Sequence, residues 1–221
     1  DTFTVVLDAQ PTSNVVISLS SNDGSEISIP SSLTFTTANW DTPQTVTVTG
    51  VDDSIIDGTI TSTITVAVDD ANSDDDFDAI ADQTVSVDTT DDDVAGFTIV
   101  ELDGSTEVDE SGTTDTFTVA LNAQPASDVV ISLASDDTGE ATVTSTLSFT
   151  PANWDTPQTV TVTGADDTAI DSTQTSTITI SIIDAISDNS FDAVADQTVS
   201  VDTTDDDVAG FTIVELEGAT E

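Results

Sequence analysis

The 221-residue chain contains no lysine, arginine or histidine, although it carries 44 acidic side chains and a formal net charge of -44 at pH 7. Its carboxylates therefore have no cationic side chain to pair with, and the counter-charge must come from solution. Because proteins bind phosphates largely through Lys and Arg, the composition excludes nucleic acid and anionic membrane surfaces as partners.

Cysteine and tyrosine are also absent. Disulfides are excluded, as are Lys-Asn isopeptide crosslinks. The usual general bases, nucleophiles and oxyanion-stabilising cations are missing, so we expect no enzyme, although a glycosidase-like carboxylate pair stays open. No apolar run approaches the ~20 residues that span a bilayer, so we expect any signal peptide or anchor to lie outside this segment.

The chain does contain an internal repeat. Residues 1–7 (DTFTVVL) return as 115–121 (DTFTVAL), and Trp40 returns as Trp154, both 114 residues later. This spacing predicts a β-sandwich repeat without its first strand over residues 1–93, a linker at 94–95, a complete repeat over 96–207, and a linker with the next first strand over 208–221. Two interpretations stay open. The segment is a slice of a longer chain, or residues 210–221 supply the missing strand of a neighbouring copy.

Short alternating segments rich in Thr, Val and Ile predict about seven strands per repeat and no helix of useful length. The fold class is therefore all-β, as tandem Ig-like antiparallel sandwiches. We expect Phe117, Phe149 and Phe211 to point inward. The predicted strands of the complete repeat are residues 97–100, 116–121, 129–133, 147–150, 158–163, 176–182 and 197–202.

Strand order predicts where the acidic loops lie, because successive antiparallel strands alternate in direction. Loops after the first, third, fifth and last strands then share one end of the sandwich. Crowded carboxylates without cationic partners either take up protons or bind a cation. Ca²⁺ takes six to eight oxygen ligands and suits such an end, Mg²⁺ suits it less, and zinc, copper and iron prefer the absent His and Cys. Asp also favours turns and keeps proteins hydrated, which is the alternative explanation.

The succession of Glu110-Ser-Gly, LSFTP at 147–151, QTVTVTGADD at 158–167 and the Asp triplet at 205–207 resembles the Calx-beta domain and related tandem repeats of bacterial surface proteins. The resemblance implies calcium ligands in the acids after the first strand, after the long middle strand and at the end of the repeat. It departs at residues 136–141, where the family's Asp-Tyr pair is missing. The candidate metal ligands are Asp52, Asp53, Asp57, Asp91, Asp92, Asp93, Glu110, Asp137, Asp166, Asp167, Asp171, Asp205, Asp206 and Asp207.

Another acidic loop, residues 69–78 with its counterpart 184–192, is expected at the opposite end of each sandwich. Solvation is the favoured interpretation of this loop, and completion of a site with the preceding repeat is the alternative. Phe77 and Phe191 are expected to hold this loop to the core. Trp40 and Trp154 are expected to close the sandwich end rather than stack on a sugar.

These features favour an extracellular or cell-surface structural module, a calcium-rigidified stalk, filament or matrix fibre, for example of an adhesin. Its expected partners are neighbouring repeats of the same chain. Two alternatives stay open, a self-assembling donor-strand filament subunit and a carbohydrate- or receptor-binding surface module.

Overall fold

The structure is a computed structural model that describes residues 1–102 and 104–214. It divides into two compact units, Asp1–Asp93 and Val94–Glu221. Both are built from β-strands, and none of the short helices in the described part of the chain is long and apolar enough to cross a membrane. The strands of the first unit are β1 (Thr2–Val5), β2 (Val15–Ser21), β3 (Ile27–Ser28), β4 (Ser32–Phe35), β5 (Gln44–Thr47), β6 (Thr49–Gly50), β7 (Ile60–Val68) and β8 (Gln83–Thr89).

The second unit is a sandwich of two sheets. One has the strand order β13-β15-β11-β9, and the other has the order β10-β17-β16-β12-β14. The strands are β9 (Phe97–Glu101), β10 (Thr106–Asp109), β11 (Thr114–Leu121), β12 (Val129–Ser135), β13 (Ala141–Val143), β14 (Thr146–Phe149), β15 (Gln158–Gly164), β16 (Gln174–Ile182) and β17 (Gln197–Thr204).

Alternation of apolar and polar residues builds both sheets, because successive side chains on a strand point to opposite faces. In β12 every second residue from Val129 to Leu133 is buried, and β16 repeats this pattern at Ile178 and Ile180. Phe117 and Phe149 are fully buried between the sheets, as predicted. Burying such a side chain contributes about 1.5–3 kcal/mol to folding.

The second unit contains all seven predicted strands of the complete repeat and two more, β10 and β13. After β9 the chain turns at Gly104, whose φ of 85° favours glycine, and crosses to the other sheet. There β10 pairs in parallel with β17, whereas the other strand pairs of this unit are antiparallel. The first strand of the repeat is therefore divided between the two sheets.

The first unit has the same framework over its shorter length. Its larger sheet has the order β4-β2-β7-β8, and β1-β5 and β3-β6 form two short pairs that match β11 and β13 on β15. Among its described residues no strand corresponds to β9 or β10. As a result Val66, Val85 and Val87 are only half-buried. Their counterparts Ile180, Val199 and Val201 are at most 2% exposed.

The prediction that Phe211 points inward is wrong. Residues 210–214 belong to no strand, and Phe211 is 90% exposed. Its counterpart Phe97 is 3% exposed because β9 pairs with β11. No strand among the described residues pairs with residues 210–214, so the side chain of Phe211 has no sheet to pack on. The rest of the predicted strand, residues 215–221, lies outside the described residues.

The second acidic loop is not simply solvated as predicted, because it contains a buried carboxylate. Asp74 accepts hydrogen bonds from the backbone N–H of Thr12 and Ser13 at 2.6 and 2.9 Å, and Asp188 repeats the bond from Ser127 at 2.8 Å. The hydrogen bond from the Thr12 hydroxyl is the main reason that the pKa of Asp74 falls to about 2. These carboxylates tie the loop to the strand connection beside it.

Aromatic residues close the same end of each sandwich. Phe77 and Phe191 are 9% and 0% exposed, as predicted. Trp40 is half-buried and packs against the core cluster that contains Leu7 and Phe77. Its carbonyl accepts the N–H of Leu7 at 3.2 Å, and the carbonyl of Trp154 accepts that of Leu121 at 3.0 Å. Both tryptophans therefore belong to the closure of the sandwich.

Candidate metal centre

Four segments of the second unit carry acids at the same end of the sandwich. Glu110 follows β10, and Glu140 precedes β13. Residues 165–173 connect β15 to β16, and residues 205–207 follow β17. The N–H of Glu110 donates to the carbonyl of Thr204 at 3.1 Å, which fixes the end of β10 beside the Asp triplet.

A glycine allows the main chain to approach this closely. A Cβ at Gly164 would collide with the backbone of Asp109. A Cβ at the counterpart Gly50 would meet only a Thr89 methyl group, at 3.8 Å, because none of the described residues of the first unit forms a strand that corresponds to β10. Gly164 thus lets β10 lie against β15 and brings Glu110 to the end of the sandwich.

Glu110 is the most deeply buried acid of this end, at 1% exposure. Neither of its carboxylate oxygens has a hydrogen-bond partner among the described residues. Burial raises the pKa of Glu110 to about 7, and the negative charge of Asp205 beside it adds to this increase. An isolated buried carboxylate is costly, so Glu110 requires either a proton or a cation.

Backbone hydrogen bonds favour the charged form of Asp205, in contrast to Glu110. Its Oδ1 accepts the N–H of Asp207 at 2.7 Å, and its Oδ2 accepts those of Asp171 and Ser172, both at 3.1 Å. These hydrogen bonds lower the pKa of Asp205, and the bond from Asp207 has the largest effect. Ser172 adopts a φ of 68°, as Gly58 does with 74° at the same place of the first unit. The backbone thus keeps Asp205 charged.

Two sets of three carboxylates come together at this end. Oxygens of Glu110, Asp205 and Asp207 lie within 4.8 Å of one another, and so do those of Glu140, Asp167 and Asp171. We call them the Glu110 group and the Glu140 group. Burial is the main cause of the raised pKa of Asp207 and Glu140. One buried oxygen each of Asp207, Asp171 and Glu140 also lacks a partner among the residues described.

The first unit has one such group, which we call the Glu26 group, formed by Glu26, Asp53 and Asp57. Asp91 accepts the N–H of Asp57 and Gly58 at 3.0 and 2.9 Å, as Asp205 does in the second unit. Burial raises the pKa of Glu26. A cavity of about 30 Å³ between the loops at this end has room for about one small ion or water.

Seven of the predicted ligands belong to a group, and an eighth, Asp91, organises the loop that carries one. The groups contain Asp53, Asp57, Asp167, Asp171, Asp205, Asp207 and Glu110. Asp93 lies beside Asp91, to which its N–H donates at 2.8 Å. Asp137 does not join a group, because its Oδ1 accepts the N–H of Gly139 in its own turn. The side chains of Asp52, Asp92, Asp166 and Asp206 are exposed and are not part of the described groups.

Sequence reasoning missed Glu26 and Glu140 as site residues. Both are only 9% exposed, and each supplies an oxygen to a group. A signal was present, because Asp outnumbers Glu 36 to 8 and yet Glu recurs at this position 114 residues apart. The Glu side chain is longer than that of Asp, so from a position just before a strand it reaches inward to acids that follow other strands.

Comparison with known proteins gives no matching family model and no matching curated protein. Among solved structures, the chain is similar to the S-layer protein rSbsC(31-844), at 18% identity and a TM-score of 0.40, over 90% of this chain and 21% of that one. It is also similar to calcium binding domain CBD12 of CALX1.1, at 13% identity and a TM-score of 0.30, over 82% and 72% of the two chains. The chain therefore spans about a fifth of the S-layer protein.

Proposed function

We propose that this chain is a non-catalytic structural module of an extracellular array and that the acidic end of each sandwich binds Ca²⁺. The observation that carries the proposal is Glu110, buried beside Asp205 and Asp207 with both oxygens lacking a described partner. A chain without Lys, Arg or His has no side-chain cation to offer it. A metal ion bound by these oxygens offsets the burial of several charges at once.

The donor set favours calcium over other metals. All candidate ligands are carboxylate oxygens on loops, which suits the variable coordination of Ca²⁺, whereas Mg²⁺ requires near-octahedral geometry and retains several waters. Two adjacent groups in the second unit would take separate ions, with Asp205 between them because its backbone bonds join residues 171, 172 and 207. Extracellular modules bind Ca²⁺ in the range of about 10⁻⁴ to 10⁻³ M, which matches the proposed location.

Bound calcium would stiffen the module mechanically. The groups join the ends of β10, β15 and β17 and the loop before β13, which come from both sheets. An ion that bonds to all of these loops would remove their independent motion, and its loss would leave only repelling charges. A stalk or matrix fibre made of such repeats would then change stiffness with the calcium concentration.

Calorimetric titration tests the proposal. We expect the 221-residue chain to bind Ca²⁺, and we expect Glu110→Gln to weaken the binding in the second unit by at least about tenfold, because it removes one charged ligand. Asp155→Asn, at an exposed acid distant from the groups in sequence, is the control and should bind as the unchanged chain does. Absence of binding heat at millimolar Ca²⁺, or equal loss in both variants, would contradict the proposal.

Small-angle scattering tests the mechanical part separately. We expect the distribution of particle dimensions to become narrower with Ca²⁺ and to broaden when a chelator is added. A chain that binds Ca²⁺ in the calorimeter but scatters identically in both conditions would keep the metal sites and lose the stiffening role.

A further inference from the structure

The two units hold corresponding acids of their carboxylate groups in different ways. Asp171 of the Glu140 group and Asp57 of the Glu26 group occupy the same place of the repeat, 114 residues apart. Oδ1 of Asp171 is buried and has no partner among the described residues, whereas the side chain of Asp57 is exposed. The sequences differ three residues later, where β16 begins with Gln174 and β7 begins with Ile60.

Gln174 holds the main chain of the acid that precedes it. Its Nε2 donates to the carbonyl of Asp171 at 2.8 Å. The N–H of the same peptide group, that of Ser172, donates to Asp205 Oδ2 at 3.1 Å, and so does the N–H of Asp171. Gln174 lies on the same face of β16 as the buried Ser176, which directs it to the inside of the acidic end. The main chain on both sides of the Asp171 side chain is therefore fixed.

The first unit has only part of this arrangement. The N–H groups of Asp57 and Gly58 donate to Asp91 Oδ2, as those of the second unit do to Asp205. Ile60 replaces the glutamine, and its side chain has no hydrogen-bond donor, so it cannot bind the Asp57 carbonyl. Both units contain every residue that takes part in this difference.

The residue after each acid adds to the contrast. Ser172 adopts a φ of 68°, a left-handed conformation that costs free energy for a residue other than glycine. Its counterpart Gly58 adopts a φ of 74° without this cost. The hydrogen bond from Gln174 acts on the peptide group that links Asp171 to Ser172, and it therefore stabilises the strained conformation of this loop.

We propose that Gln174 is a positioning residue for metal binding, which holds Asp171 ready to bind a divalent cation together with Glu140. Oxygens of the two acids lie within 4.8 Å of each other. Glu140 is 9% exposed and its buried Oε2 has no described partner, so the position to which Asp171 is held is one that requires a positive charge or a proton. A ligand that is already in place loses less conformational freedom on binding, which raises affinity.

The residue at this place of the repeat, Gln174 or Ile60, would then determine how tightly the Glu140 group and the Glu26 group bind Ca²⁺. The inference rests on the proposed calcium binding and adds to it a residue that is not itself a ligand. Hydrogen bonds that orient the ligands of a metal typically change its affinity by at least about tenfold.

Nuclear magnetic resonance titration of the 221-residue chain with Ca²⁺ tests the two sites separately, because the amide groups of Ser172 and Gly58 adjoin the two ligands. We expect Gln174→Ile to raise the dissociation constant measured at Ser172 by about tenfold and to leave that at Gly58 unchanged. Ile60→Gln should lower the dissociation constant at Gly58 and leave that at Ser172 unchanged. A gain of affinity cannot result from a general loss of stability.

Two further variants control for packing and for the loss of a glutamine as such. Gln174→Met keeps the length of the side chain without its donor and should weaken binding as Gln174→Ile does. Gln83 also begins a strand and donates Nε2 to a loop carbonyl, that of Ala81 at 3.1 Å, but it lies at the end of β8 opposite the Glu26 group. Gln83→Ile should therefore change neither dissociation constant.

The outcomes separate this inference from the proposed function. Calcium binding with an unchanged dissociation constant at Ser172 in Gln174→Ile and Gln174→Met would overturn the positioning role and leave the metal sites intact. An unchanged value at Gly58 in Ile60→Gln would overturn it as well. If neither amide signal of the unchanged chain responds to millimolar Ca²⁺, both the inference and the proposed function are contradicted.

Discussion

At the residue scale, neighbouring acids of one site are held in different protonation states by their surroundings. Asp205 receives three backbone N–H groups, which lower its pKa, whereas Glu110 receives none from the described residues and has its pKa raised to about 7 by burial. Hydrogen bonds to a charged group favour that charge, and burial without them disfavours it. The site thus combines a carboxylate that stays charged, Asp205, with one whose charge depends on pH, Glu110.

This difference predicts how stability changes with pH. A carboxyl whose pKa is higher in the folded state stabilises the fold while protonated, and the contribution is lost as pH rises from the unfolded value, 4.5 for Glu110, through about 7. In calcium-free buffer we therefore expect the melting temperature to fall across this window. Glu110→Gln should flatten the fall, because glutamine stays neutral. Thermal scans at successive pH values measure it.

The control for this experiment is calcium itself. If Ca²⁺ binds as proposed, protons and Ca²⁺ compete for the same oxygens, so at saturating calcium the melting temperature should no longer fall across that window. A slope that is the same in Glu110→Gln and in the unchanged chain would show that other groups cause it. Burial also raises the pKa of Asp207 and of Glu140, so these two residues act in the same direction as Glu110. They should leave a smaller slope in the Glu110→Gln variant.

The sequence predicted the gathering of acids but not all of their identities. Strand alternation requires the loops that carry Glu110, Asp167 and Asp205 to share one end of the sandwich, and the groups there contain all three residues. Glu140 was missed because its role depends on side-chain length and on β13, which has only three residues and no detectable alternation. Burial of Asp74 was missed because no sequence pattern distinguishes a capping aspartate from a solvated neighbour.

At the element scale, the division of the first strand decides where Glu110 lies. β9 belongs to one sheet and β10 to the other, so the chain crosses the edge of the sandwich before it reaches the acidic end. The sequence indicated β9 through its apolar residues but not β10, whose four residues include two acids, Glu107 and Asp109. The turn between β9 and β10, rather than the alternation of apolar residues, determines where the chain passes from one sheet to the other.

The crossing predicts different effects for the same substitution in the two units. Gly164→Ala places a methyl group against the Asp109 backbone and should destabilise the second unit by about 1–3 kcal/mol, as overpacking does. Gly50→Ala meets only the Thr89 methyl at 3.8 Å and should be nearly neutral. Chemical denaturation of both variants measures the difference. Equal losses in the two variants would contradict the close packing of β10 against Gly164.

At the scale of the whole molecule, the net charge of -44 dominates the behaviour in solution. Folding brings acids together without any Lys or Arg between them, so self-repulsion opposes the compact state. Salt reduces this repulsion over a screening length of about 10 Å at 0.1 M. Screening by salt and the proposed calcium binding would both stabilise the chain, so the two effects must be measured separately.

Matched ionic strength separates the two effects. We expect NaCl to raise the melting temperature gradually. CaCl₂ at equal ionic strength should raise it by several degrees more, because ions that bind only the folded state stabilise that state. MgCl₂ provides the comparison for divalent charge alone and should fall between them. If the melting temperature depends on CaCl₂ and MgCl₂ concentration in the same way, the acids serve only for hydration and are only screened by salt, and the calcium proposal is contradicted.

The parallel pairing of β10 with β17 also affects the folding kinetics. Val108 lies opposite Thr203, 95 positions later in the chain, so the second sandwich cannot be closed until nearly its whole length has been synthesised. Contacts between such distant positions make folding slow, typically milliseconds to seconds for all-β domains. A repeat of this kind would therefore stay an open chain during its synthesis and would close only when its last strand, β17, is free to pair.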